Sequence, residues 1–355
     1  MLKEFAQGAA QSAVQPVADF LAPTVEVPTS IGRYKIYTEK NRFAPPDTSR
    51  AIGGRATMLS FDATDATYNC QPNALDFPID YLEQIEEAAL TNALMEGATI
   101  VAEVAALCHE QNVINAAVAA TSGSALAKTW SGTSGSDPVD DIDAQILNVI
   151  KAARYGSLMG VGVLFGAGAW RIFKNATNVR SRFVAAGDDA IPNVTSADAT
   201  KLFVANPEVR TSYMVVDTTK EGLAPNISFL LDASVLVFAR LQNPTRRDPS
   251  FMKTFRLMGN YMVPGSYLRD DGRVEVAKFD WSEAVAITNS TAAQLITVSY
   301  LSRTGERVTV LTTQTVTTLT VAVPSSGTLY GYTAGSVGPG SITFEKIGSN
   351  TWVKL

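Results

Sequence analysis

Hydrophobic and polar positions fall along the chain in blocks of different period. Residues 1–29 are polar and alanine-rich, with Pro16, Pro23 and Pro28 spaced so that only short helical turns fit, which predicts an N-terminal arm over residues 1–30. Short β-type runs at Arg33–Tyr37, Ala56–Phe61 and Ala66–Cys70 flank Pro45, Pro46, Gly53 and Gly54, predicting a two-stranded excursion over 31–77 with a flexible tip. A hairpin of this kind cannot bury both faces alone, so it should lean on another surface. Pro78 and Asp80 then read as the start of a helix running to about Asn115, with Leu82, Ile85, Ala89, Ala93, Ile100, Val104 and Leu107 as its apolar face. At 1.5 Å per residue this is a rod of roughly 50 Å. Glu83, Glu86, Glu87, Glu96, Glu103 and Glu110 mark its solvent or partner side, and Gly97 is a mild interruption.

A linker of small residues, 116–127, precedes Trp130-Ser-Gly-Thr-Ser-Gly-Ser-Asp137-Pro-Val-Asp-Asp-Ile142. Asp137 suits an N-cap and Pro138 the first helical position, while Asp140 and Asp141 favour the positive helix end. That helix continues through Ile146, Val149 and Ala153 towards Gly156. Val161–Phe165 reads as a buried strand, Gly166–Gly168 as a turn, and Ala169–Asn175 as another helix. Strands are expected at Thr211–Asp217, Ile227–Leu231 and Val235–Leu241, with return strands at Arg273–Phe279 and Ala284–Thr288. From about Ala292 the sequence turns threonine- and glycine-rich, seven of the twelve residues Thr309–Thr320 being threonine, which predicts a small β module over 292–355 docked on the main body. The sum is an α+β chain.

Composition narrows the function. Only 18% of residues are charged against 46% hydrophobic, so much of the surface should be covered by neighbouring subunits rather than water. A net charge of −5 argues against a protein whose main task is gripping nucleic acid. Charge is also segregated along the chain. Arg33, Lys35, Lys40, Arg42, Arg50 and Arg55 crowd the excursion, whereas no lysine or arginine lies between Arg55 and Lys128, the stretch that holds the helix glutamates. A basic loop and an acidic rod in one chain suggest complementary surfaces between copies. No stretch has membrane character, and the arm lacks the apolar run of a signal peptide.

Chemistry at a site is hard to build from these residues. His109 is the only histidine, and it sits between Cys108 and Glu110 on a helix, where adjacent side chains diverge by about 100° and cannot converge on a metal or form a dyad. Cys70 and Cys108 make neither a disulfide framework nor a metal cluster. Gly166-Ala-Gly168-Ala-Trp-Arg171 has arginine where a dinucleotide loop needs its third glycine. No catalytic, metal-ligating or cofactor-binding residue is therefore expected. Arg240, Arg246, Arg247, Lys253 and Arg256, interleaved with Phe251 and Phe255, form the best nucleic-acid-like patch, for which a subunit-contact loop is an equal explanation.

The segment Trp130–Ile142 with the helix, strand and helix after it resembles the A-domain entry of tailed-phage major capsid proteins of the Hong Kong 97-type fold, lambda-like branch. The upstream order is similar too: an arm, an excursion ending in Thr67-Tyr-Asn-Cys70, then a long glutamate-bearing helix, as in the family's N-arm, E-loop and spine helix. The resemblance spans roughly Gly32 to Thr288, about three-quarters of the chain. It implies a P-domain over 78–135 with return strands at 261–291, an A-domain over 136–260, and a β module outside the common fold. It also implies a homo-oligomer of hexamers and pentamers in an icosahedral virion capsid, assembled in the host cytoplasm with portal and scaffolding proteins and touching packaged DNA weakly. The subunit interface would include Arg33, Lys35, Lys40, Arg42, Arg50, Arg55, Glu83, Glu86, Glu87, Glu96, Glu103, Arg246 and Arg247. The competing readings are an encapsulin-like compartment shell, an α+β enzyme working through carboxylates or lysine, and an adhesin suggested by the threonine-rich tail.

Overall fold

The computed structural model describes residues 17–37, 47–58, 63–80, 82, 90–130, 137–153, 160–183, 195–219, 223–241, 243–246, 248, 250–258, 262–270, 272–299, 307–312, 316–319, 328–330, 335–337, 340–346 and 351–354. The chain begins with a single helical turn, α1 (Ala18–Leu21), and a short strand, β1 (Thr24–Val27). The excursion follows as β2 (Ile31–Tyr37) paired antiparallel with β3 (Ala63–Asn69), Arg33 opposite Thr67 and Lys35 opposite Asp65.

Next come β4 (Gln71–Asp80) and the long helix α2 (Leu90–Thr121). This corrects the helix expected from Pro78. Leu75-Asp-Phe77-Pro-Ile79-Asp alternates apolar with polar, the period of a strand, and β4 lies along β13 (Val274–Ile287) from Gln71 opposite Glu283 to Asp80 opposite Val274. Pro72 and Pro78 are tolerated because β4 is an edge strand, where a missing N–H breaks no central ladder. The helix also extends beyond Asn115 into the segment expected to be a linker.

β13 organises the first sheet. The two return strands expected from the sequence are one strand of 14 residues. β4 and β12 (Met262–Leu268) pair along the same stretch of it and so take opposite edges, while β11 (Met252–Leu257) pairs with its C-terminal part and carries β1 parallel to it. α2 covers this sheet through Val101, Ala102 and Ala105, which meet Phe279, Trp281, Leu75 and Phe77. Gly97 lies close against it: a Cβ there would sit 2.9 Å from Phe77 and 3.2 Å from Ile79. It is a packing requirement rather than an interruption.

The second sheet has the order β5 (Leu126–Thr129), β14 (Ala293–Ser299), β10 (Ser234–Arg240), β6 (Gly160–Gly166), β7 (Glu208–Ser212). β6 and β10 are apolar almost throughout because helices α3 (Pro138–Ala153) and α4 (Ala167–Asn175) pack on the sheet and the main core closes around it. Asp137 caps α3 as expected, accepting from the Val139 N–H at 3.0 Å. The strand expected at Thr211–Asp217 is divided between β7 and β8 (Val215–Asp217), which forms a separate ribbon with β9 (Ile227–Phe229). Two shorter helices, α5 (Thr177–Phe183) and α6 (Ser196–Leu202), lie between α4 and β7.

β14 belongs to this second sheet, so residue 292 is not the start of a separate module. The C-terminal strands β15 (Arg307–Thr312), β19 (Gly340–Lys346), β20 (Thr351–Lys354) and β17 (Thr328–Tyr330) form one sheet, and β16 (Val316–Leu319) pairs with β18 (Gly335–Val337).

The end of the arm is part of the fold. Val17, Ala18, Phe20 and Leu21 are buried in the main core. The Phe20 ring meets Phe238 edge-on at 5.2 Å, with the Arg210 and Arg240 guanidiniums over it at 4.7 and 4.6 Å.

Candidate assembly surfaces

The excursion is held at its base and projects from it. Gly32 and Tyr68 face each other across β2 and β3, and the Tyr68 ring covers the glycine so closely that a Cβ there would lie 2.3 Å from its hydroxyl. The same ring stacks on Phe255 of β11 at 4.6 Å, and Tyr34, Val25, Val27 and Cys70 complete the cluster. The excursion thus leans on the first sheet, as its two-stranded form required. Within residues 47–58, Thr57 Oγ1 donates to Asp47 O at 3.1 Å, the Ser49 N–H to Asp47 Oδ1 at 2.8 Å, and Arg50 Nη1 to Gly54 O at 3.1 Å.

The expected interface residues divide into three groups. Arg33, Arg50 and Arg55 are exposed on the excursion, and Arg33 makes only a long contact with Asp65, 4.0 Å, of the kind that adds little stability. Glu96 and Glu103 are exposed on α2, and Arg246 is exposed on the loop before β11. Lys35 is placed on β2 by its backbone alone, while Lys40, Arg42, Glu83, Glu86, Glu87 and Arg247 lie outside the described residues.

The apolar face expected for the helix is not the buried one. Ile100 and Val104 are 38% and 43% exposed, and the face packed on the sheet is Gly97, Ala98, Val101, Ala102 and Ala105. Gly97 and the alanines let the helix approach, and Ile100 and Val104 are left outward.

Glu110, expected on the outer side, is buried. Its Oε1 accepts from the Ala18 N–H at 2.8 Å, tying the arm to the helix, and burial pushes its carboxyl above the ordinary range. His109 is buried beside it. Arg256 Nη2 approaches His109 Nε2 at 3.3 Å and can only donate, so Nδ1 carries the proton and donates to Glu283 Oε1 at 3.0 Å. One histidine therefore joins α2, β11 and β13. Burial, with the Glu283 charge adding to it, raises the thiols of Cys70 and Cys108, which disfavours the reactive thiolate.

Much of the arginine-rich stretch 240–256 is not on the surface, although Arg246 is. Phe251 and Phe255 are core residues, and Lys253 is fully buried, its Nζ donating to Thr245 O at 2.6 Å and Asp248 O at 2.7 Å and pairing with Asp248 Oδ2 at 2.9 Å. Burial pulls the Lys253 ammonium below its ordinary range against the Asp248 charge. Arg240 pairs with Glu208 at 2.6 Å. Alternation of cations with aromatics marked the stretch in sequence, but it alternates because β11 is buried. Gly166 and Gly168 are likewise occupied: the Ala167 and Ala169 N–H groups donate to Leu231 O and Asp232 O, and a Cβ on either glycine would strike Asp232. The helix start that imitated a phosphate loop is filled by the protein's own chain.

Among the described residues no group of three or more histidine, cysteine, aspartate or glutamate side chains is placed to hold a metal ion, and no helix is long and apolar enough to cross a membrane.

A long helix on a mixed sheet, a second sheet with helices on it, and a projecting two-stranded excursion define the capsid-protein fold of Hong Kong 97 type. A phage-related protein from Bordetella bronchiseptica RB50 shares it with TM-score 0.61 and 16% identity, over 83% of this chain and 95% of that one. The capsid structure of cyanophage P-SCSP1u matches with TM-score 0.50 and 12% identity, over 79% of this chain and 87% of that one. No protein-family model and no curated protein matches the sequence.

Proposed function

We propose that this chain is the major capsid protein of a tailed phage, assembling as hexamers and pentamers into an icosahedral shell around double-stranded DNA. The observation that carries the reading is the likeness in fold over four-fifths of the chain to a structure described as a phage capsid. In this reading the first sheet with α2 is the P-domain, the second sheet the A-domain, β2–β3 the E-loop, and β15–β20 an added module. The virion is its location, the host cytoplasm its place of assembly, and portal and scaffolding proteins its partners.

Charge supplies a mechanism. The basic excursion of one subunit lies against the acidic side of a neighbour's α2, and the net charge of −5 keeps the inner wall from holding packaged DNA tightly.

The test is size-exclusion chromatography and negative-stain electron microscopy of the protein expressed alone and with its genomic neighbours. Closed shells, tubes, or free hexamers and pentamers support the reading, and nuclease-resistant DNA inside the particles separates a phage shell from a compartment enclosing protein. A small monodisperse oligomer under every condition overturns it.

A further inference from the structure

The end of the arm, the long helix and the first sheet meet at a cluster of polar side chains with Arg256 at its centre. In the sheet Arg256 stands between its register partners, Glu26 of β1 and Glu283 of β13, whose side chains share its face. On that face α2 brings His109 to it. One guanidinium nitrogen, Nη2, has two candidate acceptors: His109 Nε2 at 3.3 Å and Asp19 Oδ1 of α1 at 4.0 Å. The first is a long hydrogen bond, and the second lies outside hydrogen-bond range.

The contact with His109 holds only while Nε2 keeps its lone pair. An imidazole that gains a proton carries N–H on both nitrogens, and arginine has no acceptor to offer it. The new N–H would face the guanidinium at 3.3 Å, donor against donor and cation against cation. At the other nitrogen nothing is lost: the hydrogen bond from Nδ1 to Glu283, 3.0 Å to Oε1 and 2.9 Å to Oε2, becomes an ion pair. Glu283 thus favours the proton, and Arg256 is the group that must give way. The remaining titratable neighbours do not reverse this. Glu110 holds the Ala18 N–H through an oxygen that still accepts when its other oxygen is protonated, and the raised thiols of Cys108 and Cys70 favour their neutral form.

We propose that His109 selects the partner of Arg256: with the imidazole neutral, Arg256 ties β11 to α2, and with the imidazole protonated it turns to Asp19 and ties β11 to the arm. Asp19 is the destination because it already lies nearest the same nitrogen on the arm side, and its carboxylate is held there by Thr24 Oγ1, which donates to Oδ1 at 3.0 Å. The exchange needs only a turn of the guanidinium, so one proton moves a link between elements without unfolding any of them. His109 is the only histidine of the chain, and histidine is the side chain that gains charge between about pH 5 and 8, so the response is confined to this joint. The joint lies within one subunit and does not depend on the shell reading.

The test uses the single histidine as its own probe. The full chain, without a polyhistidine tag, is labelled with carbon-13 in the histidine ring, and its one imidazole signal is titrated by nuclear magnetic resonance. Linkage requires that a group which receives Arg256 favour the proton on His109. Asp19→Asn should therefore weaken proton binding by about threefold or more, and Arg256→Gln should strengthen it by a similar factor. Adding Asp19→Asn to Arg256→Gln should leave the affinity nearly unchanged, because the arm acid acts through the arginine. Glu26→Gln, which removes an exposed carboxylate from the β1 side of Arg256, should change the affinity by less than about twofold. An equal effect of Asp19→Asn with and without Arg256, equal effects of Asp19→Asn and Glu26→Gln, or no effect of Asp19→Asn each overturn the proposal, as does a ring signal that does not titrate above about pH 5. Asp19 and Glu26 are both exposed, so that comparison decides the matter even if Arg256→Gln fails to fold.

Discussion

The Glu110 carboxylate accepts a hydrogen bond at 2.8 Å from the backbone N–H of Ala18, 92 positions earlier in the chain. It fastens the end of the arm to the long helix. Because burial, the largest influence on it, pushes its pKa above the ordinary 4.5, the native state favours the protonated acid. Stability from this group is therefore full below the unfolded pKa and falls as pH rises through the higher folded value. Glu110→Gln keeps an acceptor for Ala18 without an ionisable group. It should be more stable than the unaltered chain at pH 7, with the advantage vanishing below about pH 4. Glu110→Ala, which leaves the N–H unsatisfied, should lose about 1–3 kcal/mol. Urea melts across this pH range check both, and an advantage for Glu110→Gln that persists at low pH would contradict the assignment.

Phe20 links the arm to the second sheet. Replacing it with alanine removes a ring packed against Phe238 and under two guanidiniums, and should destabilise the chain by about 3–5 kcal/mol. A denaturant midpoint within error of the unaltered protein would mean that α1 docks only loosely.

Gly97 and Gly123 should respond oppositely to alanine. Helix propensity favours alanine at Gly97 by about 1 kcal/mol, but the new Cβ would lie 2.9 Å from Phe77, and overpacking typically costs about 1–3 kcal/mol. Gly97→Ala should therefore lower the melting temperature. Nothing lies within 4 Å of a Cβ at Gly123, so Gly123→Ala should leave stability unchanged or slightly raised. Calorimetry on the two variants decides between propensity and packing.

Reversing Arg50 and Arg55 to glutamate should impair assembly while leaving the monomer within about 0.5 kcal/mol of its original stability, because both side chains are exposed. Adding Glu96→Arg and Glu103→Arg to the same chain should restore particles. Normal shells from the first variant, measured by light scattering, would remove the charge pairing from the mechanism.

Much was legible where the signal is local. The cap at Asp137, the helix behind it and the apolar run of β6 each depend on neighbours a few positions apart, and each formed as read; the glycine turn expected at Gly166–Gly168 did not, because β6 runs straight into α4 and Gly168 lies inside the helix. The excursion was legible from its charge and turn residues.

Tertiary structure decided the rest. Pro78 is compatible with a helix start or an edge strand, and only pairing with β13, some 200 residues away, selects the strand. Ile100 and Val104 look like core residues in any amphipathic pattern, but Gly97 and the alanines beside Val101 permit a close approach to the sheet, so the helix turned that face inward. The His109–Glu283 contact joins residues 174 positions apart, a distance that no periodicity reports. By itself the sequence determined the elements and the segregation of charge, because these follow from backbone preference and composition. Which face of each element is buried was decided by packing, because that depends on which distant surface it meets.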